Sequence, residues 1–434
     1  MRRHLGTIII LALAVSSLAA AMGQDQSAID ELKKTAVKVY LDCDSCDVEY
    51  IKTEITFVNY VRDRLEAQVH ILITTQATGG GGREYTLNFM GQNDLKGTND
   101  IQKYFSSTTD TSDDVRRGLV KALKMGLMSY VGKTPISRRI TVDYLPPDKA
   151  GPGRDRWNSW VFSLTGSGQF RGEKSYKDQE ADFSFSANRI TTESKVRLGL
   201  SLETSKTKYV IEDEILEDEI ITGTKSSWDG SGLFVKSLGE HWSAGFFLEA
   251  ESSLYSNIDI SLTAAPALEY NAFPYSQSTR RQLRFLYKLA VNPVKYREET
   301  IYGKTRETLF QESLSATLDL REKWGTVSVS ASGSHYFHDF SKNQLDLFGI
   351  VNLRLYKGLS VFGLVGYSWI HDQLSLLGRE PTFEEQLLRL RELPRTSDYF
   401  ISIGFQFTFG SIFTNVINPR FGSSHSGGMA IHIN

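Results

Sequence analysis

Mixed helix and strand signals over the first third of the chain, then strict period-two alternation over the rest, predict an α+β N-terminal domain followed by an all-β antiparallel barrel of about twelve strands. The 434 residues are 40% hydrophobic and 11% aromatic, with 35 Gly against 10 Pro, a mix that suits β structure with close backbone approach. A formal net charge of −2 offers no basic excess for nucleic acid as a partner.

The N-terminus reads as an export signal. Arg2, Arg3 and His4 precede an apolar run at 5–21, and Ala21-Met22-Gly23 is a small-x-small cleavage site, which assigns residues 1–23 to a signal peptide. The alternative is an uncleaved N-terminal anchor helix. Past this point no stretch reaches the roughly 18 continuous apolar residues of a membrane helix.

Residues 24–148 form the α+β domain. KVYLD at 38–42 is a short strand, and Ile51, Ile55, Val58, Val61 and Leu65 keep helical spacing over 48–65. A hairpin follows with its tip at 79–82, then an amphipathic helix starting near Thr111 or Ser112, with Asp113 and Asp114 at its positive end and Gly132 at its stop. ISRRITVDYL adds a candidate strand, and 149–156 punctuates like a linker.

From Trp157 to Gly410 apolar residues alternate with small, polar or charged ones, as in Val196, Leu198, Leu200 and Leu202 against Arg197, Gly199, Ser201 and Glu203. Twelve such segments approach the ~9–11 residues of a membrane strand. Connections at 191–195, 238–242, 323–326 and 356–359 are short, whereas 210–225 and 374–397 are long and polar. Counted from the first segment, long loops fall at odd-to-even connections and the shortest turns at even-to-odd ones, the arrangement of a transmembrane barrel. Trp157, Trp160, Trp242, Tyr287, Trp324, Tyr367, Trp369 and Tyr399 gather near segment ends, as interfacial girdles do. Lipid is therefore the solvent predicted for the apolar face, and in lipid the last strand must close onto the first.

The polar face carries the candidate functional residues. Arg197, Glu203, Glu249, Glu251, Arg284, Lys288, Asp319, Arg321, Asp346 and Arg354 project into the lumen by this parity. There they line an aqueous pathway or pair with one another in a filled interior. PTFEEQLLRLREL within 374–393 looks helical and is a candidate to cap or enter the pore.

Cys43 and Cys46 are the only cysteines. In an exported chain a local disulfide is expected, with a metal or redox site as alternatives. Asp42, Asp44 and Asp47 disfavour the thiolate that redox chemistry needs. Gly79 to Gly82 lacks the Lys-Ser/Thr of a phosphate loop. The acidic run at 212–219 is either a solvated loop or a divalent-cation site. Ser334, His335, His338, Asp339 and Ser341 hold acid–base groups, but proximity in sequence does not assemble a catalytic triad. The sequence thus assigns no catalytic residue, cofactor or metal ligand.

Tyr399, Ile401, Ile403, Phe405, Phe407 and Phe409 give one wholly apolar face. That stretch resembles the terminal-strand signal by which outer-membrane barrels are recognised for insertion, which implies the barrel assembly machinery as a partner. FPYSQSTRRQL, HDFSKNQL and FTFGSIFTNVINPRFG, within 157–422, are similar to uncharacterised outer-membrane barrel proteins of Bacteroidota-like bacteria. That family brings no established activity. Residues 24–148 resemble, in element order, the amino-terminal domain of the TolB family. The implied location is the cell outer membrane, with 24–148 and the tail 411–434 in the periplasm. The implied role is a channel or transporter for small polar solutes, its periplasmic domain docking a protein partner or gating the mouth. The alternatives are an assembly protein anchored by its barrel and, behind it, a barrel enzyme acting on lipid.

Overall fold

The computed structural model describes residues 35–79, 81–142, 155–211, 219–415 and 420. The expected signal peptide, residues 149–154 of the linker, 212–218 of the acidic run and, of the tail, 416–419 and 421–434 lie outside them. Among the described residues the chain divides into two units. One holds 35–75, 84–142 and 408–415, and the other holds 155–407 with 76–83.

The first unit is a five-stranded sheet of order β2-β1-β3-β4-β5 with helices against it. Its strands are β1 (Lys38–Asp42), β2 (Asn59–Tyr60), β3 (Val69–Ala77), β4 (Arg83–Gly91) and β5 (Asn99–Ser106). β1 runs parallel to both β2 and β3. The helix α1 spans only Val48–Glu54, started by Asp47, whose carboxylate accepts from the Tyr50 amide at 2.9 Å. The helical spacing read over 48–65 therefore overshoots. Ile55 already leaves helical geometry, and the β-prone Phe57-Val58-Asn59-Tyr60 run leads into β2.

The helix α2 (Ser112–Val131) begins in a capping box between Thr111 and Asp114. It buries Leu119, Leu123, Leu127 and Tyr130, one face of a 3.6-residue repeat, against Tyr85, Leu87 and Phe89 of β4 and Val69 and Ile71 of β3. Gly126 lets the helix approach closely, since a Cβ there would lie 2.2 Å from the Phe89 ring. The Tyr130 hydroxyl donates to the carbonyls of Phe89 at 3.2 Å and Thr98 at 2.9 Å, and burial lifts its pKa to about 12. The strand expected in ISRRITVDYL is replaced, over its described part, by a 3₁₀ turn at Pro135–Arg139 that buries Ile136. Pro135 at the start fixes the φ that favours that turn.

The chain returns to this unit at its far end. Val61 and Phe413 form an antiparallel bridge, flanked by Arg62 N–H to Ile412 O at 2.8 Å and Thr414 N–H to Tyr60 O at 3.0 Å. Residues 412–414 thus extend the β2 edge, and the Asn415 amide donates to Asn59 Oδ1 at 2.9 Å.

The second unit is a twelve-stranded antiparallel sheet in sequence order: β6 (Trp160–Gly172), β7 (Tyr176–Ile190), β8 (Ser194–Ile211), β9 (Glu219–Ser237), β10 (Trp242–Ser253), β11 (Ile258–Asn271), β12 (Arg281–Tyr296), β13 (Arg306–Glu322), β14 (Gly325–Tyr336), β15 (Asp339–Tyr356), β16 (Leu359–Ile370) and β17 (Ser397–Phe407). No described helix is long and apolar enough to cross a membrane, which says nothing about strands. Every segment read from alternation is a strand. Two expectations change.

First, the sheet is not closed. β6 pairs only with β7, and β17 only with β16. Past β17 the chain leaves for the β2 edge. On β6, Gly166 and Gly168 offer no side chain for cross-strand contact.

Second, loop length does not sort cleanly by parity. The strands run further than the apolar pattern, so 210–225 shrinks to a connection at 212–218, with Tyr209 facing Ile221 and Lys206 facing Thr224 across the ladder. The even-to-odd connection 272–280 is long, built on a 3₁₀ turn at Tyr275–Gln277. The odd-to-even turn at 337–338 is tight. The longest connection, 371–396, does fall at the odd-to-even end, called here the first rim.

Candidate functional site

Register divides the large sheet into two chemically different faces. Facing pairs such as Val196 with Phe234, Phe246 with Phe234, Leu283 with Leu318, Leu347 with Tyr367 and Val365 with Ile401 put the apolar sets of all the strands on one face. That face is bare: Leu314 is 52% exposed and Ile403 77%, a continuous apolar surface far larger than scattered surface residues require. The band from Val196 to Leu202 covers ~20 Å of strand at ~3.3 Å per residue. Aromatic residues border it at both ends. Trp160, Trp242 and Tyr270 stand towards the second rim, with Trp242 and Tyr270 4.7 Å apart. Trp228, Tyr287, Tyr367, Trp369 and Tyr399 stand towards the first. Tyr399, Ile401, Ile403, Phe405 and Phe407 all lie on this apolar face of β17, and Phe409 follows the strand.

The opposite face holds all ten charged candidates. The ladders align Arg197 with Asn188, Glu203 with Asp182, Glu249 with Ser231, Glu251 with Asp229, Arg284 with Thr317, Lys288 with Ser313, Asp319 with Ser328, Arg321 with Thr326, Asp346 with Ser332 and Arg354 with Ser360. Several have local partners. Asp346 accepts from Ser368 at 2.6 Å and Gln344 at 2.8 Å, and Asp319 from Ser328 at 2.6 Å. Lys288 stands 5.1 Å over the Phe247 ring. Arg284 lies 4.0 Å from Glu269, which also accepts from the Tyr275 hydroxyl. Acidic and basic groups are also unevenly spread along the strands, although Arg171 stands towards the first rim and Glu269 and Asp319 towards the second. Asp178, Glu180, Asp182, Glu203, Asp229, Glu249 and Glu251 stand towards the first rim, while Lys195, Arg197, Arg284, Arg321 and Arg354 stand towards the second. The carboxylates of Glu180, Asp182 and Glu203 lie within 4.8 Å of one another, near enough to share a divalent cation. Alternation with Ala181, Phe183 and Phe185 already puts Asp182 on the polar side, but Asp178 and Glu180 lie before that apolar run and none of the three is among the ten candidates.

The segment 371–396 lies over this polar face at the first rim. Leu374, four residues past β16, packs against Val294, Tyr296 and Leu309 of β12 and β13. Ser375 O accepts from Asn257 Nδ2 at 3.0 Å, and Asn257 sits in the β10–β11 turn. In a flat sheet, β16 and β11 would stand ~24 Å apart at ~4.8 Å per strand. Five residues span at most ~18 Å, and Leu374 N–H bonding to Asp372 O at 2.7 Å folds the path further. The sheet therefore curves towards its charged face, and 371–396 crosses the hollow. Leu388 and Leu390 reach β9, where a Cβ on Gly223 would lie 2.6 Å from Leu388. The expected helix shrinks to α3 (Phe383–Leu387), capped by Thr382 and Glu385.

Four side chains fasten this segment. Arg379 reaches Glu298 at 2.9 Å and Glu385 at 2.7 Å, and Arg391 reaches Glu298 at 2.6 Å and Glu385 at 3.3 Å. The Arg379 hydrogen bonds hold the Glu385 carboxyl at about 2, well below the usual range.

His335 and Ser334 do not converge. Ser334 lies on the charged face, while His335 lies on the apolar face, where its Nε2 contacts Glu312 at 2.7 Å. Glu312 also accepts from Tyr287, and Ser341 donates to Asp339 at 2.7 Å. In the first unit, Cys43 and Cys46 are joined as a disulfide, with Cα atoms 5.7 Å apart. A groove of about 780 Å³ there is floored by Phe57, Val120, Met128 and Ile136 and rimmed by Arg117, Lys121, Lys124 and Arg139.

No protein-family model matches the chain, and no curated protein matches it. Among solved structures it is similar to a NanC porin in a rhombohedral crystal form, at 10% identity and a TM-score of 0.27, over 57% of this chain and 99% of that one.

Proposed function

We propose that residues 155–407 form an outer-membrane β-barrel that conducts small polar solutes along its charged face, with the first unit in the periplasm as a docking or gating domain. One observation carries this reading: twelve strands in register expose an aromatic-bordered apolar band on one side and gather their charges on the other. Water would penalise that band heavily, at ~25 cal/mol per Å². Hydrocarbon would not, and it demands that β6 and β17 zip together, because unpaired backbone in lipid costs several kcal/mol per group. Inside the closed barrel, an acidic group of side chains towards the first rim and a basic group towards the second supply polar contacts along a path.

Two measurements test it. Mature protein is expected in the detergent-extracted membrane fraction, and refolded protein is expected to give ion conductance in a planar bilayer. Folded, monomeric protein in the aqueous fraction without detergent would end the reading.

A second reading, a membrane-anchored assembly protein, is favoured by the groove in the first unit and by the filled first rim. A stable envelope partner captured by the mature protein, and lost on Lys121→Glu with Val120→Asp, would support it.

A further inference from the structure

We propose that 371–396 is a latched gate, hinged where β16 meets β17, with Glu298 as the wall-side carboxylate of its ionic latch. The inference rests on the channel reading and adds its regulation.

The hinge is local. Ile370 N–H bonds to Thr396 O at 3.0 Å, directly continuing the pairing of Trp369 with Ser397. The segment beyond it docks on wall elements three to seven strands from β16 in sheet order, from Leu309 on β13 to Gly223 on β9. Those contacts are one isolated bridge, Thr300 with Leu377, a few carbonyl hydrogen bonds and the buried leucines. None belongs to a barrel ladder, so the segment can swing away without breaking a strand pair.

The latch is divisible. Arg379, Arg391 and Glu385 all belong to the moving segment, whereas Glu298 belongs to the wall connection 297–305. Removing Glu298 leaves the Arg379–Glu385–Arg391 network whole, so the gate stays folded while its ionic grip on the wall goes, leaving weaker contacts such as Arg391 to Leu254 O at 2.9 Å. Two guanidinium groups sharing one carboxylate make charge-assisted, partly bidentate contacts, the strongest class of side-chain hydrogen bond.

The test uses the full chain in bilayers with Leu388→Cys as a reporter. Leu388 is 5% exposed, and the native cysteines are disulfide-bonded. Glu298→Gln is expected to raise the thiol-labelling rate about tenfold or more and to raise conductance. In a separate Thr300→Cys/Leu377→Cys chain carrying Glu298→Gln, oxidation is expected to return conductance to the low level, and reduction to restore it. These two residues face each other as a non-hydrogen-bonded pair, flanked by Ile301 N–H to Leu376 O and Gly378 N–H to Glu299 O, the spacing at which side chains are closest. Unchanged labelling in Glu298→Gln overturns the latch. Faster labelling with unchanged conductance, in Glu298→Gln and in a chain lacking 373–394, overturns the gate by removing the channel while leaving the hinge intact.

Discussion

Asn257 donates to the Ser375 carbonyl across 3.0 Å, joining a wall turn to a segment that starts five strands away. The same side chain donates to Glu298 O and accepts from Glu298 N–H, both at 3.0 Å, and it is 1% exposed at φ +59°. Asn257→Ala strips three buried hydrogen bonds and strains a left-handed backbone, a local loss of ~2–3 kcal/mol. Proteolysis within 379–395 should accelerate, and Asn257→Gly, free of the backbone strain, should fall between. Equal cleavage in all three would mean the turn does not hold the segment.

Acid should loosen the same segment only at low pH. Glu385 sits lower folded, at about 2, than unfolded, at ~4.3. A depressed carboxyl contributes stability that is complete above the unfolded value and fades as pH falls through the folded one. Labelling at Leu388→Cys, with an acid-tolerant reagent, should stay flat from pH 7 to 5 and rise between about 4 and 2. A rise centred at pH 6 would point to another group.

Gly126 faces the Phe89 ring, and Gly126→Ala sets two effects against each other. Helix propensity gains ~1 kcal/mol. The new methyl, 2.2 Å from the ring, costs ~1–3 kcal/mol or more through overpacking. The clash should win, with faster hydrogen exchange along α2, and Phe89→Leu should relieve part of it. A more stable helix would show that the sheet yields easily.

Adjacent residues on β13 separate lipid from a facing protein sheet. Leu314→Arg places a charge on the bare face, level with the bordering Tyr287, and should cost ~1 kcal/mol, a penalty that reaches ~2–4 kcal/mol only at mid-membrane. Ser315→Arg, on the charged face, should fold normally and alter conductance. Refolding yields in lipid vesicles report both. Matching yields would remove hydrocarbon as the solvent.

Much of this was legible in advance. Leu314, Ala316 and Leu318 against Ser313, Ser315 and Thr317 identify strand and face together, because the side-chain period is two. The same rule placed all ten charged candidates on one face. It failed where the pattern changes but pairing continues, as at Lys206 and Thr224, both on the outward side beyond the apolar band. It also missed whatever depends on distant contact. Nothing near Leu374 names Val294 or Leu309, and nothing near Asn59 names Asn415. The short α1 shows a local failure too: Ile51, Ile55 and Val58 keep helical spacing, yet Val58 is buried after the helix has ended.

The bridge between Val61 and Phe413 makes the margin of the N-terminal sheet depend on residues that follow all twelve strands of the large sheet. A chain cut between Phe407 and Ile412 keeps every one of those strands and still leaves the β2 edge without its neighbour.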